Sequence, residues 1–238
     1  RWADSLDKGF RMTTALQGTR ACVFDAYGTL LDVPAAVLAA GERLGNDAAP
    51  LSQLWRRKQL EYAWIRSLTG THADFAQVTA DALSHAFEVF GVNDALLHEE
   101  LLEAYFQLPA FADAEACLKA LRAKGRRLAV LSNGTPSMLE AALSSAGLLS
   151  QFEQIISVED VGIYKPSRRA YRLAMQKLKV DAAPDVAFVS GNAWDAQSAA
   201  AFGFQAVWIN RDGGPPERLP GKPAAVIASL EELPPLVG

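Results

Sequence analysis

From Arg20 onward the chain alternates between short apolar runs with β-branched or aromatic residues and amphipathic stretches roughly 10 to 18 residues long. The apolar runs predict strands at residues 21–25, 127–131, 154–157, 186–190 and 206–210, with a weaker sixth at 225–227. Strands separated by helical stretches predict an α/β fold in which helices wrap a doubly wound, Rossmann-like parallel sheet.

Residues 34–111 show no strand pattern and read as helices. They are expected to form an inserted helical cap after the first strand, leaving residues 20–33 and 112–238 as the core domain. Within the cap, Leu51, Leu54, Trp55, Tyr62 and Ile65 share one stripe at helical spacing, and Arg56, Leu60 and Trp64 share another. A helix apolar on two faces has two surfaces to bury. The first stripe packs within the cap, while the second, carrying a cation among apolar groups, looks into a cleft above the sheet. Phe75, Val78, Ala82, Ala86, Val89 and Phe90 predict another helix, and residues 95–107 a last one. Residues 1–19 are expected to be a poorly ordered leader, with Met12 a candidate natural start that would put residues 1–11 outside the native sequence.

Composition narrows the choice of partner. The 238 residues are 50% hydrophobic and 21% charged, enough for a substantial core. Twenty-three basic residues against 27 acidic ones give a net charge of −4 with no Lys/Arg block, which argues against a nucleic-acid partner. No apolar run approaches the roughly 20 residues of a membrane span, and Asp4 and Asp7 sit where a secretory signal would be apolar. A soluble, cytoplasmic chain without a membrane partner is expected. Cys22 and Cys117 offer no metal-ligand spacing, and His72, His85 and His98 are too scattered for a two-histidine motif.

Ligands of open α/β sheets bind beyond the carboxyl ends of the strands. There the chain delivers Asp25, then Ser132 with Asn133, then Lys165, then Ser190, Asn192 and Asp195. Singly, each has a plain structural explanation. Asp25 suits a turn, Lys165 a solvated position before a proline-started helix, Tyr171 and Trp194 packing, and Arg56 a charged surface run with Arg57 and Lys58. Asp, Ser, Lys and Asp arriving in that order from successive strand ends point instead to one polar site.

Asp25-Ala26-Tyr27-Gly28-Thr29-Leu30, Ser132-Asn133-Gly134, Lys165-Pro166 and Gly191-Asn192-Ala193-Trp194-Asp195 resemble the haloacid dehalogenase superfamily, over a stretch from about Arg20 to the C-terminus. Most members of that superfamily are magnesium-dependent phosphatases, with an acid two residues after the nucleophile and a Gly-Asp pair at the metal. Tyr27 and Asn192 stand at those places, as in the L-2-haloacid dehalogenase branch, which Leu54-Trp55-Arg56 and Tyr164-Lys165-Pro166 also resemble. The resemblance implies hydrolysis of the carbon–halogen bond of short (S)-2-haloalkanoic acids to (R)-2-hydroxy acids, with no metal or cofactor, in a homodimer. It implies Asp25 as nucleophile, Arg56 and Asn133 as halide cradle, and Ser132 as binder of the substrate carboxylate. Thr29, Lys165, Tyr171, Ser190, Asn192 and Asp195 match the remaining catalytic positions; Ala26, Tyr27, Leu60, Phe75 and Trp194 match substrate-contacting ones. Arg57 departs from the uncharged polar residue expected beside Arg56, which bears on substrate preference.

The chemistry explains the residue types. A carboxylate with an ordinary pKa near 3.9 is charged at neutral pH and attacks carbon without a base. Its obstacle is the substrate's own carboxylate, which at about 4 Å repels it by about 4 kcal/mol at an effective dielectric near 20. Backbone N–H groups of Ala26, Tyr27 and Gly28 with Ser132 would hold the anion, Lys165 would keep Asp25 ionised, and Arg56 would meet the departing halide from the opposite wall. The resulting ester would be opened by water positioned by Asp195, Lys165 and Asn192. Three other readings stay open at this point: a metal-dependent phosphatase or phosphonate hydrolase, a phospho-accepting signalling domain, and a non-catalytic binding module.

Overall fold

The computed structural model describes residues 15–39 and 41–237. Strand β1 (Ala21–Phe24) leads into five helices: α1 (Val33–Ala39), α2 (Gly41–Leu44), α3 (Ala48–Thr69), α4 (Phe75–Phe90) and α5 (Ala95–Ala104). The chain continues through α6 (Ala114–Ala123), β2 (Arg127–Ser132), α7 (Pro136–Ser145), β3 (Gln154–Ser157), α8 (Arg168–Leu178) and β4 (Val186–Ser190). It ends with α9 (Ala193–Phe202), β5 (Gln205–Ile209), β6 (Ala225–Ile227) and α10 (Leu233–Leu236).

Apolar residues run unbroken through β1 and most of β4, and both strands are buried along their whole length, as strands covered on both faces must be. The sheet is parallel throughout, in the order β3-β2-β1-β4-β5-β6. Cys22 on β1 lies between Leu128 on β2 and Ala187 on β4. Strand order reverses direction on either side of β1 and β4, so their carboxyl ends open a crevice where neighbouring connections diverge. Asp25 is the first residue past β1, its N–H donating to the Val189 carbonyl at 3.0 Å; Ser190 ends β4 and Ser132 ends β2.

The helical insertion is tethered by two paired linkers. Leu31 bridges Ala110 antiparallel, Asp32 N–H donates to the Pro109 carbonyl at 2.9 Å, and Phe111 N–H to the Leu30 carbonyl at 2.9 Å. Leu51, Leu54 and Trp55 of α3 are buried against α4, whose Val78, Ala82 and Ala86 are buried in turn. Ile65 and Val89 depart from the expected stripes: both are exposed, on helix flanks that no neighbouring element of the described residues covers. The helix expected over 95–107 stops at Ala104, where the chain tightens: the N–H groups of Tyr105, Phe106 and Gln107 donate to the carbonyls of Leu102, Glu103 and Ala104. Residues 1–14 of the expected leader lie outside the described residues, but 15–19 do not behave as one. Leu16 is buried, its N–H donates to the Leu236 carbonyl at 2.8 Å, and Thr19 is buried.

One polar cluster pins the returning linker to the end of the chain. The Asp113 carboxylate accepts from the Arg211 guanidinium at 2.7 and 3.0 Å, from Ser229 Oγ at 2.8 Å and from Leu230 N–H at 2.9 Å. Burial alone would raise this carboxyl, but Arg211 and the bonds from Leu230 and Ser229 outweigh it and hold the group below 3.8. Replacing Asp113 by Ala strands those donors, and we expect a loss of about 3 kcal/mol at pH 7, or a melting temperature lower by roughly 6–12 °C. A carboxyl depressed on folding stabilises above its unfolded pKa and stops doing so as pH falls through its folded value. The gap between Asp113→Ala and the unmodified protein in thermal unfolding should therefore narrow in acid.

Candidate active site

The site begins with a turn that lets one carboxylate face the crevice. After β1 the Ala26 carbonyl collects the N–H groups of Thr29, Leu30 and Leu31, and Gly28 takes a φ of +80° with its N–H on the Leu31 carbonyl at 2.8 Å. That bond removes one of the three turn N–H groups expected to hold an anion; those of Ala26 and Tyr27 remain. Across the crevice, a side chain at Gly191 would place Cβ 2.2 Å from the Gly28 carbonyl oxygen, so only glycine lets the β4–α9 loop approach this closely.

Asp25 is surrounded by donors. Its Oδ2 accepts from Thr29 Oγ1 at 2.8 Å and Asn192 Nδ2 at 2.7 Å, with Ser190 Oγ at 3.4 Å. Thr29 Oγ1 in turn accepts Gly191 N–H at 2.8 Å, and Ser190 Oγ accepts Asn192 N–H at 3.1 Å, so both hydroxyls are aimed by backbone. Oδ1 meets Lys165 Nζ at 2.8 Å. That ammonium is 1% exposed and also donates to Asp195 Oδ2 at 2.5 Å and to the Leu131 carbonyl at 3.1 Å. Asp195 is fully buried, and its other oxygen accepts Tyr171 OH at 2.7 Å.

Two carboxylates thus share one cation. Burial is the largest influence on Asp195 and raises it, Lys165 pulls it down, Asp25 pushes it up, and the result is about 6. For Lys165 burial works against the charge, but the two carboxylates overcome it and leave the ammonium more firmly protonated than in water. The Tyr171 phenol is driven well up by burial and by Asp195, so it stays a donor.

Opposite this cluster stands the second stripe of α3. Arg56 and Leu60 line a small pocket together with Phe75 from α4 and, from the core, Asp25, Tyr27, Ser132, Asn133, Lys165 and Trp194. The Arg56 guanidinium donates to Asn192 Oδ1 at 3.4 Å, while Asn192 Nδ2 reaches Asp25, so one amide spans nucleophile and cation. Asn133 Oδ1 accepts Lys165 N–H at 2.9 Å, and Ser132 Oγ accepts Gly134 N–H at 3.2 Å.

Every residue expected at the site is therefore on or behind this pocket. Tyr171, Thr29, Ser190, Asn192 and Asp195 sit behind the Asp25 carboxylate and do not line the cavity, and Ala26 contributes backbone. Arg57 is exposed and lines none of the pocket. Pro166 does not start a helix: α8 begins at Arg168 with Ser167 as its cap. Sequence reasoning missed Gln59 and Thr79. Gln59 is fully buried, its Oε1 accepts from Arg56 at 2.6 Å, and its Nε2 donates to Thr79 Oγ1 at 2.7 Å. Thr79 passes the chain to the Phe75 carbonyl at 2.6 Å, so Arg56 is held by a buried relay between α3 and α4. The only sign in the sequence is an amide three residues after Arg56, on the flank of an apolar stripe.

The chain has relatives among known proteins. The chain is 48% identical over 219 residues to (S)-2-haloacid dehalogenase 1 of Pseudomonas sp. (strain CBS-3), covering 92% of this chain and 96% of that one. A crystal structure of a dehalogenase superposes with a TM-score of 0.90 at 44% identity, covering 93% of this chain and 98% of its own. The L-2-haloacid dehalogenase from Xanthobacter autotrophicus, solved with chloropropionic acid covalently bound, superposes at 0.84 with 34% identity, covering 92% and 98%. The sequence profile of haloacid dehalogenase-like hydrolases matches residues 19–203, well over half of the chain. On that match, this chain belongs to the haloacid dehalogenase-like hydrolases.

Proposed function

We propose that this protein is a hydrolytic dehalogenase that converts short (S)-2-haloalkanoic acids to (R)-2-hydroxyalkanoic acids and halide. The observation that carries the reading is the buried Asp25 carboxylate, surrounded by donors and faced across a small pocket by a guanidinium. An Asp25 oxygen forms a bond to C2 while the carbon–halogen pair leaves with the halide on the far side, which inverts C2. Arg56, held by Gln59, and Asn133 receive the halide; Ser132 with the Ala26 and Tyr27 N–H groups receives the substrate carboxylate. Tyr27, Leu60, Phe75 and Trp194 wall the side chain of the acid. Water then adds to the Asp25 carboxyl carbon and gives one proton to Asp195. The bond from that carbon to the ester oxygen breaks, and the departing oxygen takes the proton left on the added water's oxygen. The hydroxy acid leaves with an oxygen that belonged to Asp25, while Asp25 keeps the water's oxygen and Asp195 passes its proton to solvent.

Similarity to dehalogenases at 48% and 44% identity over nearly the whole chain supports this activity. A divalent cation, which the superfamily's phosphatases need, does not fit these residues. The Lys165 ammonium already lies between Asp25 and Asp195, and Asn192 presents its Nδ2 and not an oxygen to Asp25. Residues 34–111 act as the cap and 20–33 with 112–238 as the core in this reading, so the cation of the halide site and the nucleophile come from different domains. We also infer a homodimer, which the resemblance to the L-2-haloacid dehalogenase branch supports. A cytoplasmic setting is supported by the free, buried thiols of Cys22 and Cys117.

Halide release from (S)-2-chloropropionate should be unaffected by EDTA, and Asp25→Asn should lower it by about a thousandfold or more. Loss of activity in EDTA, or undiminished activity in the variant, contradicts the reading. The pH profile gives a second test. With Asp195 near 6, acidification protonates the base that takes the water's proton. Turnover should fall below about pH 6, and the covalent ester on Asp25 should accumulate there in intact-mass spectra. A rate that stays flat from pH 8 to 5 removes Asp195 from that role.

A further inference from the structure

Arg56, Leu60, Trp64 and Leu68 follow one another at four-residue spacing on α3 and so form one continuous stripe. Arg56 and Leu60 line the pocket above Asp25, while Leu68 is 86% exposed. Trp64 stands between inside and outside. Beyond it lies a second cavity of about 430 Å³, lined by Trp64, Leu68, Ile163, Tyr164, Pro166 and Ser167 and almost wholly apolar.

Only one layer of rings separates the two cavities. Trp64 meets Trp194 edge-on with centroids 5.5 Å apart, and Tyr164 meets Phe75 at 5.8 Å. Trp194 and Phe75 line the active pocket; Trp64 and Tyr164 line the outer cavity. Tyr164 is anchored, its N–H donating to Ser67 Oγ at 3.1 Å and its hydroxyl bonded to the Ala73 carbonyl. Trp64 is not: its indole N–H, like that of Trp194, is buried without an acceptor. Among the described residues no side-chain hydrogen bond holds this part of the wall.

The wall must move. The active pocket has about 10 Å³ of free volume, room for about one water molecule, whereas 2-halopropionate brings a methyl group, C2, a carboxylate and a halogen. Of the two ring pairs, the one that breaks no hydrogen bond on moving is Trp64–Trp194. At that pair the outer cavity and the pocket lie on opposite sides of touching rings, and the outer cavity's apolar lining suits an alkyl tail. The substrate's charged end is already claimed by Ser132 and the turn N–H groups, and its halogen by Arg56 and Asn133.

We propose that the outer cavity is the vestibule through which a 2-haloalkanoic acid reaches Asp25, and that the Trp64 ring is its door and limits the length of alkyl chain that fits behind C2. The proposal rests on the dehalogenase reading above. It makes Trp64 a specificity residue that touches neither the nucleophile nor the halide site.

The test measures bromide release from (S)-2-bromopropionate and (S)-2-bromohexanoate and compares kcat/KM for the two acids. Trp64→Ala should raise the hexanoate-to-propionate ratio about tenfold or more, since each methylene housed in an apolar pocket is worth about that factor. Trp64→Phe, which keeps a ring, should hold the ratio close to that of the unmodified protein. Adding Ile163→Trp to Trp64→Ala refills the vestibule and should return the ratio toward its starting value. A Trp64→Ala protein that releases bromide with the ratio within about twofold of the original overturns the proposal, as does a gain that Ile163→Trp leaves intact. Should Trp64→Ala fail to fold by circular dichroism, Trp64→Leu carries the same comparison. Failure of the underlying reading looks different, because the unmodified protein would then release bromide from neither acid, and that result sinks both.

Discussion

A single ammonium, Lys165, buried between the carboxylates of Asp25 and Asp195, sets the terms for everything around it. Two negative charges and one positive charge at the carboxyl ends of β1 and β4 leave one excess negative charge in a dry place. Removing the ammonium would leave two uncompensated carboxylates, a cost of several kcal/mol. The neighbourhood answers with donors: Thr29 and Asn192 on Asp25, Tyr171 on Asp195, and Ser190 near both. The same imbalance divides the labour between the acids. Asp25 has the larger set of donors and faces the pocket as the nucleophile, while Asp195, fully buried and with fewer donors, rises to about 6, where it can take and release a proton near neutral pH.

Charge on one wall requires a counterpart on the other. Displacement at carbon needs nucleophile and leaving group in line, so a flat sheet edge alone cannot supply both. The insertion between β1 and β2 brings α3 over the crevice, and Arg56 reaches toward Asn192 from above. The guanidinium is positioned by Gln59 and Thr79, which spend no charge and are buried with their hydrogen bonds satisfied. Cap packing and halide binding are therefore one structural problem: the relay that fixes Arg56 also joins α3 to α4.

How much of this was legible in the sequence follows from range. The six strands were readable because their apolar runs answer a local requirement, burial on both faces. Asp25, Ser132, Lys165 and Asp195 were readable because sheet topology sends strand ends to one crevice, whatever the distances in sequence. Arg56 was readable only from its company, a cation on a stripe with Leu60 and Trp64. Gln59 was not, since a buried glutamine and a solvated one look alike until Thr79, 20 residues on, supplies the partner. Asp113 with Arg211, 98 residues apart, and Leu16 with Leu236 escaped for the same reason. The Gly28 N–H was misassigned because its acceptor depends on how tightly the turn closes.

The central claim, that an Asp25 oxygen becomes the product's hydroxyl, is tested most directly by a single turnover with enzyme in excess over (S)-2-chloropropionate in heavy-oxygen water. Mass analysis then follows for the Asp25 peptide and the hydroxy acid. The ester route predicts label in the Asp25 carboxylate and none in the first-turnover product. Label confined to the hydroxy acid would mean that water attacks C2 directly, and would contradict the role given to Asp25.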